Sequence, residues 1–441
     1  MNNWKQQKLG IVADVKLSNV DKLTIENERV VRLCNYTDVY KNSFINNEKS
    51  KSFMLASCNE NEYEKFILKK GQVAITKDSE TPNDIGVSTY ISEDFEDVVL
   101  GYHLALITPD NDKLNGQFLH YWLNTKQAKR YFENNAGGSG QRCTLVLDCI
   151  KSTPLYLPNL STQEKIAKVL SDLDAKIELN NRINRELEAM AKTLYDYWFV
   201  QFDFPNDQGK PYKSSGGKMV YNTELKREIP EGWEVKKLGE LIIKYTDKSM
   251  HIESKNILNK GKYPVITQDN GDFISGFTNE ENPIEDVPLI IFGDHSCTLR
   301  YIDFSFFRGA DGTQIMSFGK DLTIYVYIYL QSIIKQIPGY GKYERHYKYL
   351  KEFDVIVPES QYMKNFQLIS KPIFDKISQS RLENQQLTAL RDWLLPMLMN
   401  GQVTVRQAHG NAVKEAEERL SSSAERSRSM AAEPSVEYKK G

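Results

Sequence analysis

The sequence predicts an α+β fold in which one frame is used twice, each time as a body of short strands and helices followed by a long helix. Two observations predict this class. The segment 157–194 matches the segment 357–394 at a constant offset of 200 residues. The heptapeptide WKQQKLG at 4–10 returns as WEVKKLG at 233–239. A repeated frame around two diverged bodies is expected of one scaffold that carries two different recognition surfaces.

The two long segments agree at positions that chance would not align in one register. The identical pairs are Pro158 and Pro358, Lys176 and Lys376, Ile177 and Ile377, Asn184 and Asn384, Leu187 and Leu387, Ala189 and Ala389, and Leu194 and Leu394. A Gly-x-Gly also precedes each segment, at 138–140 and at 339–341. Each half therefore runs from the heptapeptide through a variable body to a Gly-x-Gly, a β-like run, a proline and a helix.

The first body, residues 1–156, combines strand-like runs with one predicted helix. The runs 66–76 and 98–109 have the apolar content of strands, and 115–136 has the periodicity of a helix. The second body, residues 233–357, is predicted to have similar parts.

Two further segments lack the pattern of a packed domain. Residues 203–232 are rich in glycine, proline and polar side chains, which predicts a linker between the halves. Residues 402–441 are rich in Ala, Ser, Glu and Arg and contain few apolar side chains, which predicts a mobile tail or a frayed helix.

A long helix is predicted over 157–202. Ser161 and Glu164 have the spacing of a capping box, so we expect the helix to begin with Ser161 as its N-cap. The apolar residues that follow fit a heptad pattern. The residues assigned to the seam are Leu170, Leu173, Ile177, Asn180, Asn184, Leu187 and Leu194.

A second long helix is predicted over 358–401 and has the same stripe. Its seam residues are Ile373, Ile377, Asn384, Leu387 and Leu394. So narrow a stripe, with asparagines at matched places, favours two helices packed on each other as a coiled coil. At ~1.5 Å per residue such helices are on the order of 50 to 60 Å long. The alternative is that each amphipathic helix packs only on its own body.

Bulk composition is that of an ordinary folded protein. The chain has 441 residues, 40% of them hydrophobic and 26% charged, and a formal net charge of −2. It has no run of 18 apolar residues, so we expect no membrane span. Its N-terminus lacks the apolar region of a secretory signal, and its five cysteines are scattered without a C-x-x-C pair. These features predict a cytoplasmic protein with reduced thiols.

The motifs of common enzymes are absent from the sequence. There is no G-x-x-x-x-G-K-[ST] phosphate loop, no H-E-x-x-H, no G-x-S-x-G and no Pro-Pro of the kind found in amino-methyltransferases. Glu234 and Lys236 have the Glu-x-Lys spacing of many nucleases, but they lie inside the repeated frame. Asp294 and His295 form half of a catalytic pair, and we interpret them as structural. The sequence thus predicts a chain without catalytic residues of its own.

The repeated helix segment has the form LPxLxxQExIAxxLxxLDxKIxLNxxINxxLExxAxxLY and resembles the specificity subunit of type I restriction-modification enzymes. The central segment 202–239, FDFPNDQGKPYKSSGGKMVYNTELKREIPEGWEVKKLG, is similar to that family nearly throughout. KKGQVAITKD at 69–78 and IIFGDHSCTLRYIDFSFFRGADGTQIM at 290–316 also fit. The resemblance covers residues 1 to about 402. Gln72 stands where the family commonly has Asp, which concerns a turn rather than the class.

Membership of that family implies a DNA-binding subunit that catalyses nothing. Its fold would hold two α/β target-recognition domains apart with two antiparallel helices in a pseudo-two-fold coiled coil. Each domain would recognise one half of a bipartite double-stranded DNA site. The helices would dock two modification subunits, which methylate adenine N6 and hold S-adenosylmethionine. Restriction subunits, which translocate DNA with ATP and Mg²⁺ and cleave it, would complete the complex, and this chain would hold no cofactor or metal.

Candidate DNA contacts follow from the side chains that recognise base edges and phosphates, and from glycine loops that let a backbone approach a phosphate. In the first domain they are Lys77, Ser139, Gln141 and Arg142. In the second they are Tyr340, Lys342, Tyr343, Arg345, His346 and Lys348, with Arg300, Arg308, Thr313 and Gln314 as weaker candidates. The alternative is that the tyrosines are ordinary sheet residues and the cations form a solvated face.

Two other classes of function stay open at this point. A stand-alone DNA methyltransferase-nuclease would need cofactor and nuclease motifs that the sequence lacks. A coiled-coil adaptor that binds only protein would share the long helices but not a salt-dependent affinity for DNA.

Overall fold

The chain folds as a mixture of helices and strands, which confirms the predicted α+β class. By its internal contacts it divides into two units. Unit 1 holds the residues up to Ala175 and those from Leu387 onward, and unit 2 is Lys176–Gln386. The computed structural model describes residues 4–138, 142–243, 251–309 and 312–403. The predicted tail therefore lies outside the described residues from 404 onward.

Unit 1 is built from short strands and helices. Its strands are Lys5–Lys8, Ala13–Leu17, Arg29–Cys34, Phe44–Ile45, Met54–Cys58, Val73–Thr76, Asp78–Ser79, Ser88–Ile91, Val98–Leu100, Leu104–Pro109, Cys143–Thr144 and Pro154–Leu157. Its shorter helices are Leu9–Val12, Tyr36–Lys41, Asn47–Ser50, Glu60–Phe66, Pro82–Asp84, Gly116–Leu123, Lys126–Asn135 and Leu147–Lys151.

The largest sheet of unit 1 has five strands. Val73–Thr76 lies at its centre, antiparallel to Leu104–Pro109 on one side and to Ser88–Ile91 on the other. All four residues of this central strand are buried, so the strand is covered on both faces. A second, three-stranded sheet has Arg29–Cys34 in the middle.

Unit 2 has its own strands and helices. The strands are Met219–Asn222, Arg227–Pro230, Glu234–Lys237, Tyr263–Ile266, Gly276–Thr278, Leu289–Gly293, Leu299–Ile302, Phe307–Arg308, Thr313–Met316 and Asp354–Val357. The shorter helices are Asp196–Val200, Lys213–Ser215, Leu238–Leu241, Ser254–Asn256, Thr323–Ile333, Ile334–Gln336 and Tyr347–Leu350. Leu289–Gly293 is wholly buried between Leu299–Ile302 and Thr313–Met316.

The repeated heptapeptide forms the same small structure in each unit. Lys5–Lys8 pairs antiparallel with Pro154–Leu157, and Glu234–Lys237 pairs in the same way with Asp354–Val357. Each heptapeptide strand thus lies beside the strand that precedes a long helix. The glycine that ends the motif allows close packing, because a Cβ at Gly10 would lie only 3.0 Å from the Cβ of Lys151.

The first long helix is Leu160–Tyr195 and the second is Ser360–Met399. The prediction of Ser161 as N-cap is wrong. The Asn159 side chain accepts the hydrogen bond from the backbone N–H of Thr162 at 2.9 Å, and the helix begins one residue before Ser161. Asparagine is as good a cap as serine, so the motif predicted the helix but not its first residue.

In unit 2 the two long helices contact each other through polar groups. Asn180 donates from Nδ2 to Asn384 Oδ1 at 2.9 Å and to Glu383 Oε2 at 2.8 Å. Farther along, Arg381 donates to Glu188 at 2.7 Å. Along these contacts the residue numbers rise in the first helix and fall in the second, so the two segments run antiparallel within unit 2.

The predicted seam residues of unit 2 differ in burial. Asn180, Asn184 and Ile377 are buried, and the Asn184 Oδ1 atom has no hydrogen-bond partner among the described residues. The half-buried members are Ile177, Leu187, Leu194, Ile373 and Asn384. Leu194 and Ile373 pack against the largest apolar core of unit 2.

In unit 1 the ends of both long helices belong to one apolar core. Leu170 and Leu394 are fully buried in it, Leu173 packs against it, and Leu387 is half-buried. Beside this core, Asp174 accepts hydrogen bonds from Tyr121 at 2.5 Å and from Arg391 at 2.8 Å.

Two predicted elements of unit 1 are each broken once. The helix predicted over 115–136 is two helices, because the Thr125 hydroxyl caps a new helix by accepting from Ala128 N–H. The strand predicted over 98–109 is interrupted at 101–103, where His103 takes a φ of +70°. None of the helices in the described ranges combines the length and apolarity needed to cross a membrane.

Candidate nucleic-acid interface

In unit 1 an aspartate at the end of the central strand anchors the chain that follows the first Gly-x-Gly. Asp78 comes directly after Val73–Thr76 and Lys77, and its Oδ1 accepts a hydrogen bond from Thr144 Oγ1 at 2.7 Å. The backbone N–H of Leu145 donates to the Lys77 carbonyl at 2.7 Å. The loop therefore returns to a fixed point on the sheet.

The same loop is closed by backbone contacts at its base. Gly137 and Thr144 exchange hydrogen bonds of 3.0 and 2.6 Å. A Cβ at Gly138 would lie 2.0 Å from the carbonyl oxygen of Arg142, so only glycine allows the two sides of the loop to come so close. The predicted contacts Ser139 and Gln141 lie outside the described residues, whereas Arg142 is exposed.

Charges around Asp78 fix the electrostatics of this region. Lys77 Nζ lies 2.9 Å and His103 Nδ1 lies 2.6 Å from Asp78 Oδ2. Burial opposes the charged carboxylate, but hydrogen bonds from Lys77, Thr144 and His103 outweigh it and lower the Asp78 pKa. Lys77 is buried with its ammonium 4.9 Å from the ring centre of Tyr102. Its charge is thus already partnered inside unit 1.

Unit 2 has an aspartate in the equivalent place. Asp294 follows the buried strand Leu289–Gly293, and its Oδ1 accepts a hydrogen bond from the backbone N–H of Tyr347 at 2.8 Å. The Asp294 carbonyl accepts from His346 N–H at 2.9 Å. The chain after the second Gly-x-Gly is therefore tied to a strand end as it is in unit 1, with backbone donors instead of a threonine hydroxyl.

His346 holds the base of the second loop from inside. It is fully buried, and its Nδ1 and Nε2 lie 3.2 Å from the Pro338 carbonyl and 3.1 Å from the Lys342 carbonyl. We predicted His346 as a DNA contact, and its burial instead makes it a brace of the loop. A ring that spans two carbonyls of one turn cannot also face DNA.

The segment 340–345 projects from this base and is exposed at every residue. Tyr340 is 45% and Tyr343 is 86% exposed, and Lys342 and Arg345 flank the second tyrosine. Gly341 has a φ of +84°, a left-handed conformation that favours glycine. Two phenols and two cations thus stand in solvent on one braced turn.

The weaker candidates of unit 2 lie mostly inside it. Arg300 is buried and donates to the carbonyls of Thr267 at 2.8 Å and Asp269 at 2.5 Å, and its burial lowers its pKa. Thr313 is buried in its strand. Arg300 and Thr313 therefore serve the fold of unit 2 as the structure stands, because neither presents a polar group to solvent.

The remaining candidates divide by exposure. Arg308 is half-buried and contacts His251, and Gln314 is half-buried opposite Phe292 in the sheet. Lys348 is exposed at the start of the helix Tyr347–Leu350. The candidates that face solvent are Arg142, Tyr340, Lys342, Tyr343, Arg345 and Lys348.

Sequence reasoning missed the supporting residues Asp78 and His103, and it treated Asp294 and His295 only as structural residues. The signal for the aspartates was present. Aligning VAITKD with LIIFGD places Asp78 and Asp294 at the same position after a buried strand. No group of three or more His, Cys, Asp or Glu residues with metal-binding geometry occurs in the part of the chain that the structure describes.

The sequence of this chain is similar to those of known proteins. A family model described as the type I restriction modification DNA specificity domain matches residues 1–189. The MjaIX type I restriction enzyme specificity subunit of Methanocaldococcus jannaschii is 26% identical over 324 residues, covering 67% of this chain and 71% of that protein. The HindI specificity subunit of Haemophilus influenzae is 24% identical over 91% of this chain and 100% of that protein.

The fold also resembles a solved structure. The crystal structure of a type I restriction-modification system S subunit from M. genitalium matches with a TM-score of 0.54 and 19% sequence identity. The match covers 90% of this chain and 97% of that one.

Proposed function

Because the chain belongs to the family of type I restriction-modification specificity subunits, which serve DNA recognition, we propose that it binds a bipartite duplex site. Each unit recognises one half of that site through the loop that follows its Gly-x-Gly. The chain carries no catalytic step of its own.

One observation carries this proposal. In both units the loop is anchored to an aspartate at the end of a buried strand, Asp78 in one and Asp294 in the other. The frame is the same, but the side chains on the loops differ, with Ser, Gln and Arg at 139–142 and Tyr, Lys and Arg at 340–345. One support that presents two different sets of side chains fits two different half-sites.

The exposed side chains suit contact with duplex DNA. Arg142 and Arg345 can donate to guanine edges or phosphates, and Lys342 and Lys348 to phosphates. None of these four side chains pairs with a carboxylate among the described residues, so binding DNA would not first break a salt bridge there. The contacts of His346 with two backbone carbonyls keep the entropic cost of ordering the backbone of the second loop low.

The test is a footprint of the chain together with its modification subunit on DNA. Mapping methylated adenines in the host genome first supplies the target sequence. We expect two short protected blocks separated by an unprotected spacer. A single continuous protected sequence would contradict two-part recognition.

A matched pair of variants tests the loop itself. Replacing Arg345 with alanine should weaken binding by about 1–3 kcal/mol on sites with the correct second half and relax the sequence preference there. Replacing Lys335, also exposed in unit 2, should leave that preference unchanged. If both variants and the wild type showed the same sequence preference at the second half-site, Arg345 would not be part of the interface.

The long helices are proposed to dock two modification subunits, which carry S-adenosylmethionine and methylate adenine. Restriction subunits with ATP and Mg²⁺ would then join the complex in the cytoplasm, where the host DNA lies. Apolar side chains on the helices support a protein interface, because Met190 is 58%, Leu368 is 75% and Ile369 is 49% exposed.

Co-purification tests this docking. The double substitution of Leu368 and Ile369 by serine should lower recovery of the modification subunit, whereas serine at the exposed Lys364 on the same helix should not. The purified chain alone should transfer no methyl group to DNA. Methyl transfer by the chain alone would favour the stand-alone enzyme instead, and DNA binding insensitive to salt would favour an adaptor that binds only protein.

A further inference from the structure

Tyr343 is the most exposed large apolar side chain among the described residues, yet its ring is held in place. It is 86% exposed, and it stacks on the imidazole of His295 with ring centres 4.5 Å apart and planes 8° from parallel. One face of the phenol is therefore covered and the other is open. An exposed aromatic ring that is pre-ordered in this way loses little entropy when it binds.

The backing imidazole is itself fixed. His295 Nδ1 lies 3.0 Å from the Glu344 carbonyl, and the His295 backbone N–H donates to Gln268 Oε1 at 3.1 Å. His295 also follows Asp294 directly, so the pair stands on the strand end that anchors the loop. The Tyr343–His295 pair is thus a rigid, two-layer aromatic surface at the tip of the second loop.

The surroundings of the pair indicate what lies on its open face. Lys342 and Arg345 are exposed on either side of Tyr343 in the chain. Flat aromatic rings beside cations are the combination with which proteins stack nucleobases while neutralising the backbone. A protein-binding hot spot would instead be expected to have several apolar side chains around the tyrosine, and 340–345 adds only the phenol of Tyr340, next to the charged Lys342, Glu344 and Arg345.

We infer that the Tyr343–His295 pair is a nucleobase-stacking site, in which the open face of Tyr343 packs on a base that has left its stacked position in the second half-site. This inference rests on the proposed function, and it adds that the DNA is locally unstacked by this chain. The contact is to a base face, so it fixes the position of the protein on the site rather than the identity of the base.

A related pair in unit 1 has a less open geometry. Tyr102 is 46% exposed and its ring centre lies 4.0 Å from that of His103, with the planes tilted by 57°. Lys77 already lies over the Tyr102 ring. The tilt and the occupied face make Tyr102 a poorer stacking surface, so we expect this chain to unstack a base at the second half-site only.

The experiment uses the complex of this chain with its modification subunit and duplexes carrying 2-aminopurine at successive positions of the mapped site. With wild-type chain, 2-aminopurine fluorescence should change at one position of the second half-site other than the methylated adenine, where the modification subunit itself extrudes the base. Tyr343→Phe should keep the signal, because the ring face remains. Tyr343→Ala should abolish it and weaken binding by about 5- to 150-fold. Tyr221→Ala, at a tyrosine that is 61% exposed in unit 2, is the matched control and should change neither.

The possible failures are distinguishable. If the wild-type complex does not bind the mapped site, the proposed function fails and the inference fails with it. If it binds but Tyr343→Ala behaves as the wild type in affinity and fluorescence, the inference alone is overturned. If Tyr343→Ala instead loses the modification subunit during purification, the pair is a protein contact and the inference is also wrong.

Discussion

At the scale of single residues, Asp78 shows how one carboxylate holds the loop that follows the first Gly-x-Gly. It accepts hydrogen bonds from Thr144, Lys77 and His103, and these outweigh its burial and keep its pKa low. A group whose pKa is lowered on folding stabilises the protein above its unfolded pKa. That contribution is lost as the pH falls through the folded pKa.

We predict that Asp78→Asn destabilises unit 1 by roughly 1 kcal/mol at pH 7, because the amide keeps an oxygen for Thr144 but loses its charge for Lys77 and His103. The difference from wild type should persist down to about pH 4 and shrink below it. Thermal unfolding of both proteins between pH 3 and pH 7 measures this. Asp112→Asn, at an exposed carboxylate, is the control, and a difference independent of pH would contradict the role of the charge.

Gly138 offers a sharper test of loop geometry. Alanine there would place a Cβ 2.0 Å from the Arg142 carbonyl oxygen, so the loop has to open. We expect Gly138→Ala to weaken binding to the first half-site at least tenfold, which is about 1.4 kcal/mol. Gly137→Ala is the matched control, since a Cβ at Gly137 meets nothing within 4 Å. Similar losses in the two variants would show that the crowding at Gly138 does not matter.

At the scale of elements, the asparagines of the long helices show what periodicity can and cannot predict. The heptad pattern placed Asn180 and Asn384 in a common seam, and they hydrogen bond at 2.9 Å within unit 2. The pattern did not predict that Asn184 Oδ1 would be buried without a partner among the described residues. A heptad pattern predicts which positions of two helices face each other. Which side chains then hydrogen bond depends also on rotamers and on neighbours such as Glu383.

We predict that Asn384→Leu lowers stability by about 1–2 kcal/mol, because it takes one hydrogen bond from the buried Asn180. Replacing both asparagines with leucine should cost less than the sum of the single changes, since the buried amide of Asn180 is then no longer left without Asn384. Thermal midpoints of the two single variants and the double variant measure the coupling. Gln386→Leu, on the exposed side of the same helix, is the control, and additive effects would show that the two amides do not interact.

The sequence predicted the positions of the two loops better than the exposure of the residues on them. Repetition located both loops next to their helices, because the frame is encoded in local motifs. It did not separate Tyr343, which is exposed, from His346, which is buried three residues later. The partners of His346 and Arg300 are backbone carbonyls, and those of Arg300 lie more than 30 residues away at Thr267 and Asp269. Side-chain identity alone gives no signal for such contacts.

At the scale of the whole molecule, a formal charge of −2 leaves no general attraction to DNA. Under the proposed function, local cations have to supply the attraction to phosphates, and Lys342 and Arg345 are exposed on one loop. Each phosphate contact contributes about 0.9 to the slope of log affinity against log salt concentration. We therefore predict that Lys342→Ala combined with Arg345→Ala lowers that slope by up to about 1.8, the larger value applying if both side chains contact phosphates.

The measurement is a titration of the mapped duplex with the complex at several salt concentrations between 50 and 200 mM. Lys320 and Lys335, two exposed lysines of unit 2 outside the loop, give the matched double alanine control. That variant has the same net charge as the loop variant, so a general field would change both slopes equally. A change confined to the loop variant would instead show that a near-neutral protein binds DNA through cations held at fixed points. An unchanged slope in the loop variant would mean that its cations do not contact phosphates.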